Sequence, residues 1–124
     1  MTGEELAALL KRGGIELLDV RSRQEYEGIA GYPCDPHQGH IPGAAHVDVN
    51  DIQAAAADQA KIRELLAERG LDPSGRIVAY CHSGQRSEIA AALLRAAGLD
   101  AVNYEGSWHE WSRRAAGLDS VSEH

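Results

Sequence analysis

Apolar residues recur along the chain in alternating helical and strand-like stretches. Leu6, Leu9 and Leu10 share one helical face. Thr2-Gly3-Glu4-Glu5 has capping-box spacing at the head of that helix, and Gly13-Gly14 stops it. Ile15 to Val20 reads as a buried strand running into Asp19-Val20-Arg21. Ser22-x-x-Glu25 repeats the capping-box spacing and opens a short helix that Gly28 ends. Residues 29–43 are rich in Gly and Pro and read as an irregular surface excursion. Ala45 to Val49 predicts a second strand. One helix is expected from about Asp51 to Arg69, with Ile62, Leu65 and Leu66 inward and Gly70 as its C-terminal cap.

Asp72-Pro73-Ser74-Gly75 has turn composition, and Arg76 to Cys81 is the most strand-like run of the chain. Ser87 to Ala97 predicts an Ala/Leu helix closed by Gly98. Ala101 to Tyr104 predicts a last strand, and Ser107 to Arg114 a last helix whose packing uses Trp108 and Trp111. Strands without a polar face that alternate with helices imply an α/β fold, a parallel sheet covered on both sides. Such sheets bind ligands beyond the carboxyl ends of their strands. No repeat or linker divides the sequence, so residues 1–124 are expected to form one domain.

Composition narrows the function. Phe is absent and aromatics make up 5%, so Leu, Ile, Val and Ala must build the core. A formal net charge of −7 argues against general binding to nucleic acid or an anionic membrane, though not against a local anion site. The longest apolar run, Ile89 to Leu94, is too short to cross a membrane. The acidic N-terminal stretch does not resemble an export signal, so a cytoplasmic location with reduced Cys34 and Cys81 is expected.

Cys81 stands at the end of the strongest strand, followed by His82-Ser83-Gly84-Gln85-Arg86-Ser87 and a helix. In a strand–loop–helix of this kind, loop N–H groups converge and the helix N-terminus adds partial positive charge. A thiol there has its anion favoured and becomes a nucleophile at neutral pH. Gly84 permits a backbone turn that other residues resist, and Arg86 adds a cation able to hold an oxyanion with two N–H groups.

The loop Cys81-His82-Ser83-Gly84-Gln85-Arg86-Ser87 resembles the active-site loop of the rhodanese (thiosulfate sulfurtransferase) domains. Leu18-Asp19-Val20-Arg21, Gly39-His40-Ile41-Pro42-Gly43-Ala44 and Tyr104-Glu105-Gly106-Ser107-Trp108-His109-Glu110-Trp111 resemble that family's other signatures, in its order. The resemblance implies a three-layer α/β fold with a five-stranded parallel sheet and helices on both faces. It also implies a ping-pong sulfurtransferase with Cys81 as nucleophile and no cofactor. Thiosulfate or another persulfide-type anion would donate sulfur, and cyanide or a thiol would accept it.

Under that resemblance Arg86, His82, Ser83, Gly84, Gln85 and Ser87 surround the substrate, and Arg21 aligns with an arginine that some members use for the sulfonate of thiosulfate. A salt bridge from Arg21 to Glu25 is the alternative. Asp19 and Glu25 are expected to support the loop. The loop departs from thiosulfate-specialised members in carrying no Lys or Arg at positions 82 and 83. The segment from Glu27 to Gln38 is longer than in many single-domain rhodaneses and resembles the excursion of the two-domain sulfurtransferases.

Two rival functions stay open: a Cys-based phosphatase or arsenate reductase, and a non-catalytic module that binds a persulfide or a partner. The four residues between Cys81 and Arg86 form a tighter loop than phosphatases use, which favours sulfur transfer. Cys34, His37, His40 and His46 have spacings that suggest zinc. His40 belongs to the Gly-His-Ile-Pro-Gly motif, however, which leaves three ligands, and no metal site is expected. Cys34 reads as an exposed thiol in the excursion, with a resolving thiol as the second reading.

Overall fold

A computed structural model of the chain describes residues 1–115. Residues 116–124 of the expected domain lie outside the described residues. The elements follow one another as α1 (Gly3–Arg12), β1 (Ile15–Asp19), α2 (Arg23–Glu27), β2 (Ala45–His46), α3 (Val49–Ala55), α4 (Gln59–Glu68), β3 (Arg76–Tyr80), α5 (Gln85–Ala96), β4 (Asp100–Asn103) and α6 (Ser107–Ala115). The strands form one parallel sheet in the order β2-β1-β3-β4.

Local chemistry sets the boundaries. Both predicted capping boxes close. Thr2 accepts the Glu5 N–H while Glu5 accepts the Thr2 N–H, and Ser22 and Glu25 do the same for α2. A cap of this type contributes about 1 kcal/mol.

Two expectations are corrected. The stretch from Asp51 to Arg69 is two helices rather than one, because Asp58 turns extended and its carboxylate caps the N–H groups of Ala60 and Lys61. A short polar side chain competes with the helix for its own backbone and so favours the cap. The sheet has four strands among the described residues, not five. Only four runs in the sequence have strand character, and β2 keeps just two residues because Asp48 caps α3 immediately after it.

The alternation of a strand places side chains on opposite faces of the sheet. Ile77, Ala79 and Cys81 join Leu18, Val20, Ile52, Ile62, Leu66, Ala90, Ala91 and Leu94 in a core under α3, α4 and α5. Val78 and Tyr80 face the other way, toward Leu6, Leu17, Ile41, Tyr104 and Trp108 under α1 and α6. Three layers result, with helices on both faces. The carboxyl ends of β1 and β3 meet at one edge, and Cys81 follows β3 there.

Candidate active site

Cys81 sits where the chain leaves the sheet and turns into α5. Its Sγ accepts the Gly84 N–H at 3.1 Å and the Ser87 hydroxyl at 3.3 Å. Gly84 is the N-cap of α5 and has a left-handed backbone, φ +93°. A Cβ there would lie 2.6 Å from the Glu105 carbonyl oxygen, so conformation and space both require glycine.

Burial alone pushes the Cys81 thiol up. The Ser87 hydroxyl and the backbone N–H groups of Ser87, Gly84 and Ser83 more than offset that, and the thiol lies below its ordinary value. These donors favour the charged form of the sulfur. The residue is only 1% exposed, so the sulfur lies at the bottom of its loop.

The last helix clamps the loop from behind. The Trp108 N–H donates to the Cys81 carbonyl and the His109 N–H to the His82 carbonyl, both at 2.9 Å. The Cys81 N–H donates to the Ser107 hydroxyl at 3.0 Å, and that hydroxyl donates to the Tyr104 carbonyl. Asn103 Nδ2 donates to the Gly84 carbonyl at 3.1 Å. Sequence reading missed Ser107 and Asn103, because their work depends on β4 lying beside β3.

Arg86 forms a two-pronged pair with Glu25, Nη1 to Oε1 at 2.8 Å and Nη2 to Oε2 at 3.1 Å. Glu25 also closes the α2 capping box. Its carboxyl is held down to about 2, because Arg86 and Ser22 outweigh the upward push of burial. Arg21 does not pair with Glu25. It pairs with Asp19 through Nε and Nη2, the latter at 2.7 Å, and it also donates to the Gly39 carbonyl. Arg21 is 1% exposed, and its guanidinium lies over the rings of Trp108 and Tyr80. Asp19 is fully buried beside it.

The remaining predicted residues divide. Ser83 and Gln85 are exposed on the outer rim, while Ser87 is buried against the sulfur. His82 turns away from the sulfur's donors, stacks on Tyr32 at 3.7 Å between centroids and faces Asp35. Burial keeps its imidazole below the ordinary value despite that carboxylate. A cleft lined by Ser22, Glu25, Ala30, Gly31 and Tyr32 opens beside the Arg86–Glu25 pair.

The spacing once suggestive of zinc does not assemble. His40 Nδ1 meets the Tyr26 carbonyl, and His46 Nε2 donates to the Arg21 carbonyl. Cys34 is exposed and unpaired with Cys81, since both are free thiols. It lies instead beside Asp35, His82 and His109.

The rhodanese-like domain profile matches residues 2–114. The chain belongs to the rhodanese-like family. It is similar to the thiosulfate sulfurtransferase of Corynebacterium glutamicum, 34% identical over 119 residues that cover 87% of this chain and 39% of the relative. It is also similar to the human 3-mercaptopyruvate sulfurtransferase, 30% identical over 127 residues that cover 98% of this chain and 43% of the relative. Among solved structures, the human single-domain sulfurtransferase TSTD1 superposes with a TM-score of 0.64 at 32% identity. That match covers 90% of this chain and 92% of TSTD1. This rhodanese-like chain spans 36% to 43% of the length of the curated relatives named here and of the mycobacterial SseB it also matches.

Proposed function

We propose that the protein is a sulfurtransferase that moves sulfane sulfur from a donor such as thiosulfate to cyanide or a thiol through a persulfide on Cys81. The observation that carries this reading is the convergence of donors on the Cys81 sulfur: the Gly84 N–H at 3.1 Å and the Ser87 hydroxyl at 3.3 Å. The names of the relatives supply the reaction class, and those of two of them the donors thiosulfate and 3-mercaptopyruvate.

In the first half-reaction the Cys81 thiolate attacks the outer sulfur of thiosulfate. The S–S bond of the donor breaks and sulfite leaves with its electron pair, so Cys81 becomes a persulfide anion. In the second, cyanide attacks the outer sulfur, the Cys81 thiolate leaves, and thiocyanate forms. The same donors stabilise thiolate, persulfide and departing charge without moving, which is where preorganised N–H groups act best. Removing one such donor typically lowers turnover by roughly 100- to 1,000-fold.

Roles follow from position. Ser83, Gly84, Gln85 and Ser87 form the cradle, and His82 is part of its wall. Arg86 is oriented by Glu25 at the mouth and takes the sulfonate end of the donor with the N–H groups that Glu25 leaves outward. Arg21 is a positioning residue in this reading, since its guanidinium is taken up by the Asp19 carboxylate and the Gly39 carbonyl. It and Asp19 fix β1 to the Gly39 motif. The enzyme needs no cofactor, and a cytoplasmic location fits its reduced thiols. Among the described residues no helix is long and apolar enough to cross a membrane.

The test is turnover with thiosulfate and cyanide, read as thiocyanate, on wild type and Cys81→Ser. Activity in the first and none in the second is expected. Hydrolysis of aryl phosphate or reduction of arsenate by protein that takes up no sulfur would instead establish phosphatase-type chemistry. A partner interaction unchanged by Cys81→Ser, without turnover, would mark a binding module.

A further inference from the structure

Beside the catalytic loop, three separated parts of the chain bring Cys34, Asp35, His82 and His109 together. One ligand atom from each lies within 4.8 Å of all the others. His82 Nε2 is 2.9 Å from Asp35 Oδ2, His109 Nδ1 is 3.4 Å from Asp35 Oδ1, and Cys34 Sγ is 4.0 Å from the same oxygen. A tetrahedral zinc with bonds of about 2.0–2.3 Å needs its ligand atoms roughly 3.3–3.6 Å apart. The three separations straddle that range.

A second observation concerns the contact between Asp35 and His82. Asp35 has a fully buried side chain, yet its Oδ2 has no hydrogen bond, and neither does the buried His82 Nε2 that faces it. The two atoms are close but out of hydrogen-bond alignment. Buried polar groups are normally satisfied, and an imidazole nitrogen whose lone pair faces a carboxylate can share a cation with it once the two atoms part by a few tenths of an ångström. The orientation of His109 fits as well. Arg113 Nη1 approaches its Nδ1 at 2.9 Å, and a guanidinium can only donate, so that nitrogen carries a lone pair toward the cluster.

We propose that Cys34, Asp35, His82 and His109 form a binding site for a zinc-class divalent ion at the rim of the catalytic loop. One thiolate, two imidazoles and one carboxylate suit zinc or cobalt and not the oxygen-seeking calcium or magnesium. Arg113, which now bridges Asp35 Oδ1 at 2.9 Å, is the cation the metal displaces. Its side chain is partly exposed, and besides Asp35 it also holds the Cys34 and His109 carbonyls. Occupancy ties the 29–43 excursion and α6 to the residue that follows Cys81. It places a metal a single residue away from the proposed nucleophile, independently of what that nucleophile does.

The probe is Co²⁺ titrated into Cys81→Ser, where Cys34 is the sole thiol. One equivalent should bind, giving the intense visible bands of tetrahedral cobalt and a sulfur-to-cobalt charge-transfer band. Cys34→Ser in that background should abolish the charge-transfer band. His109→Ala should weaken binding by at least about 100-fold, the upper loss seen for mere outer-shell partners. His37→Ala, a neighbouring imidazole outside the cluster, should leave it unchanged. Zn²⁺ should compete the cobalt out and raise Tm in Cys81→Ser but not in Cys81→Ser/Cys34→Ser. Absence of a stoichiometric cobalt site, or a site indifferent to both Cys34→Ser and His109→Ala, would overturn the proposal. Cys34 and His109 are both substantially exposed, so neither substitution threatens the fold.

Discussion

At Cys81 burial and hydrogen bonding pull in opposite directions. Burial favours the neutral thiol, and the donors of Ser87, Gly84 and Ser83 favour the thiolate and prevail. Ser87 is the informative residue, because its hydroxyl can be removed without touching the backbone. A hydrogen bond to a charged group contributes about 1.5–3 kcal/mol, and one pKa unit corresponds to about 1.4 kcal/mol. Ser87→Ala should therefore raise the Cys81 pKa. The pH profile of alkylation by a small iodoacetamide reads this directly, as a rise in rate displaced to higher pH. An unchanged profile would mean that the backbone alone sets the thiolate.

Glu25 offers a second test at this scale. Its folded pKa of about 2 lies below its ordinary 4.5. A carboxylate depressed in this way contributes stability that is complete above the ordinary value and lost as pH falls toward the folded one. Glu25→Gln should thus be less stable than wild type at pH 7, and the two should converge as pH is lowered toward about 2. Urea midpoints across that range check it.

Among the elements, β1 and β3 carry the site on their carboxyl ends, and the Asp19–Arg21 pair locks the end of β1. Both side chains are essentially buried, and Arg21 also reaches the Gly39 carbonyl. Asp19→Asn leaves the buried guanidinium without its countercharge, which should cost roughly 3–5 kcal/mol. A fall of that size in unfolding free energy, with Cys81 still present, is the expected outcome of denaturant titration.

Much at this scale was legible in the sequence. The caps at Thr2 and Ser22, the β3 strand and the Gly84 turn each depend on residues a few positions apart, which the sequence displays. The break at Asp58 was hidden inside an alanine-rich helical pattern, although the Asp was a visible cap. The pairing of Glu25 with Arg86, 61 positions away, was not legible, and the salt bridge offered as the alternative for Arg21 forms with Asp19 rather than Glu25. The meeting of Cys34 and Asp35 with His82 and His109 depends on where the excursion lies against α6. No periodicity encodes that.

Across the whole molecule, the −7 net charge and the proposed anionic substrate have to be reconciled. The two arginines at the site are each neutralised by a carboxylate, Arg86 by Glu25 and Arg21 by Asp19. Attraction for an anion therefore comes from short-range N–H groups, while the surface as a whole repels it. Raising salt screens that repulsion more than it weakens the buried donors. The kcat/KM for thiosulfate should rise or hold steady with ionic strength, and a steep fall would mean that Arg86 captures the donor at long range.

The family assignment covers residues 2–114, so the chemistry of one loop stands for the chain's proposed activity. Intact mass spectrometry of the reduced protein after incubation with thiosulfate tests that most directly. One added sulfur, about 32 Da, should appear on wild type, be absent from Cys81→Ser and be removed by cyanide. Folded, reduced wild-type protein that gains no such mass from thiosulfate or from 3-mercaptopyruvate would contradict the persulfide mechanism.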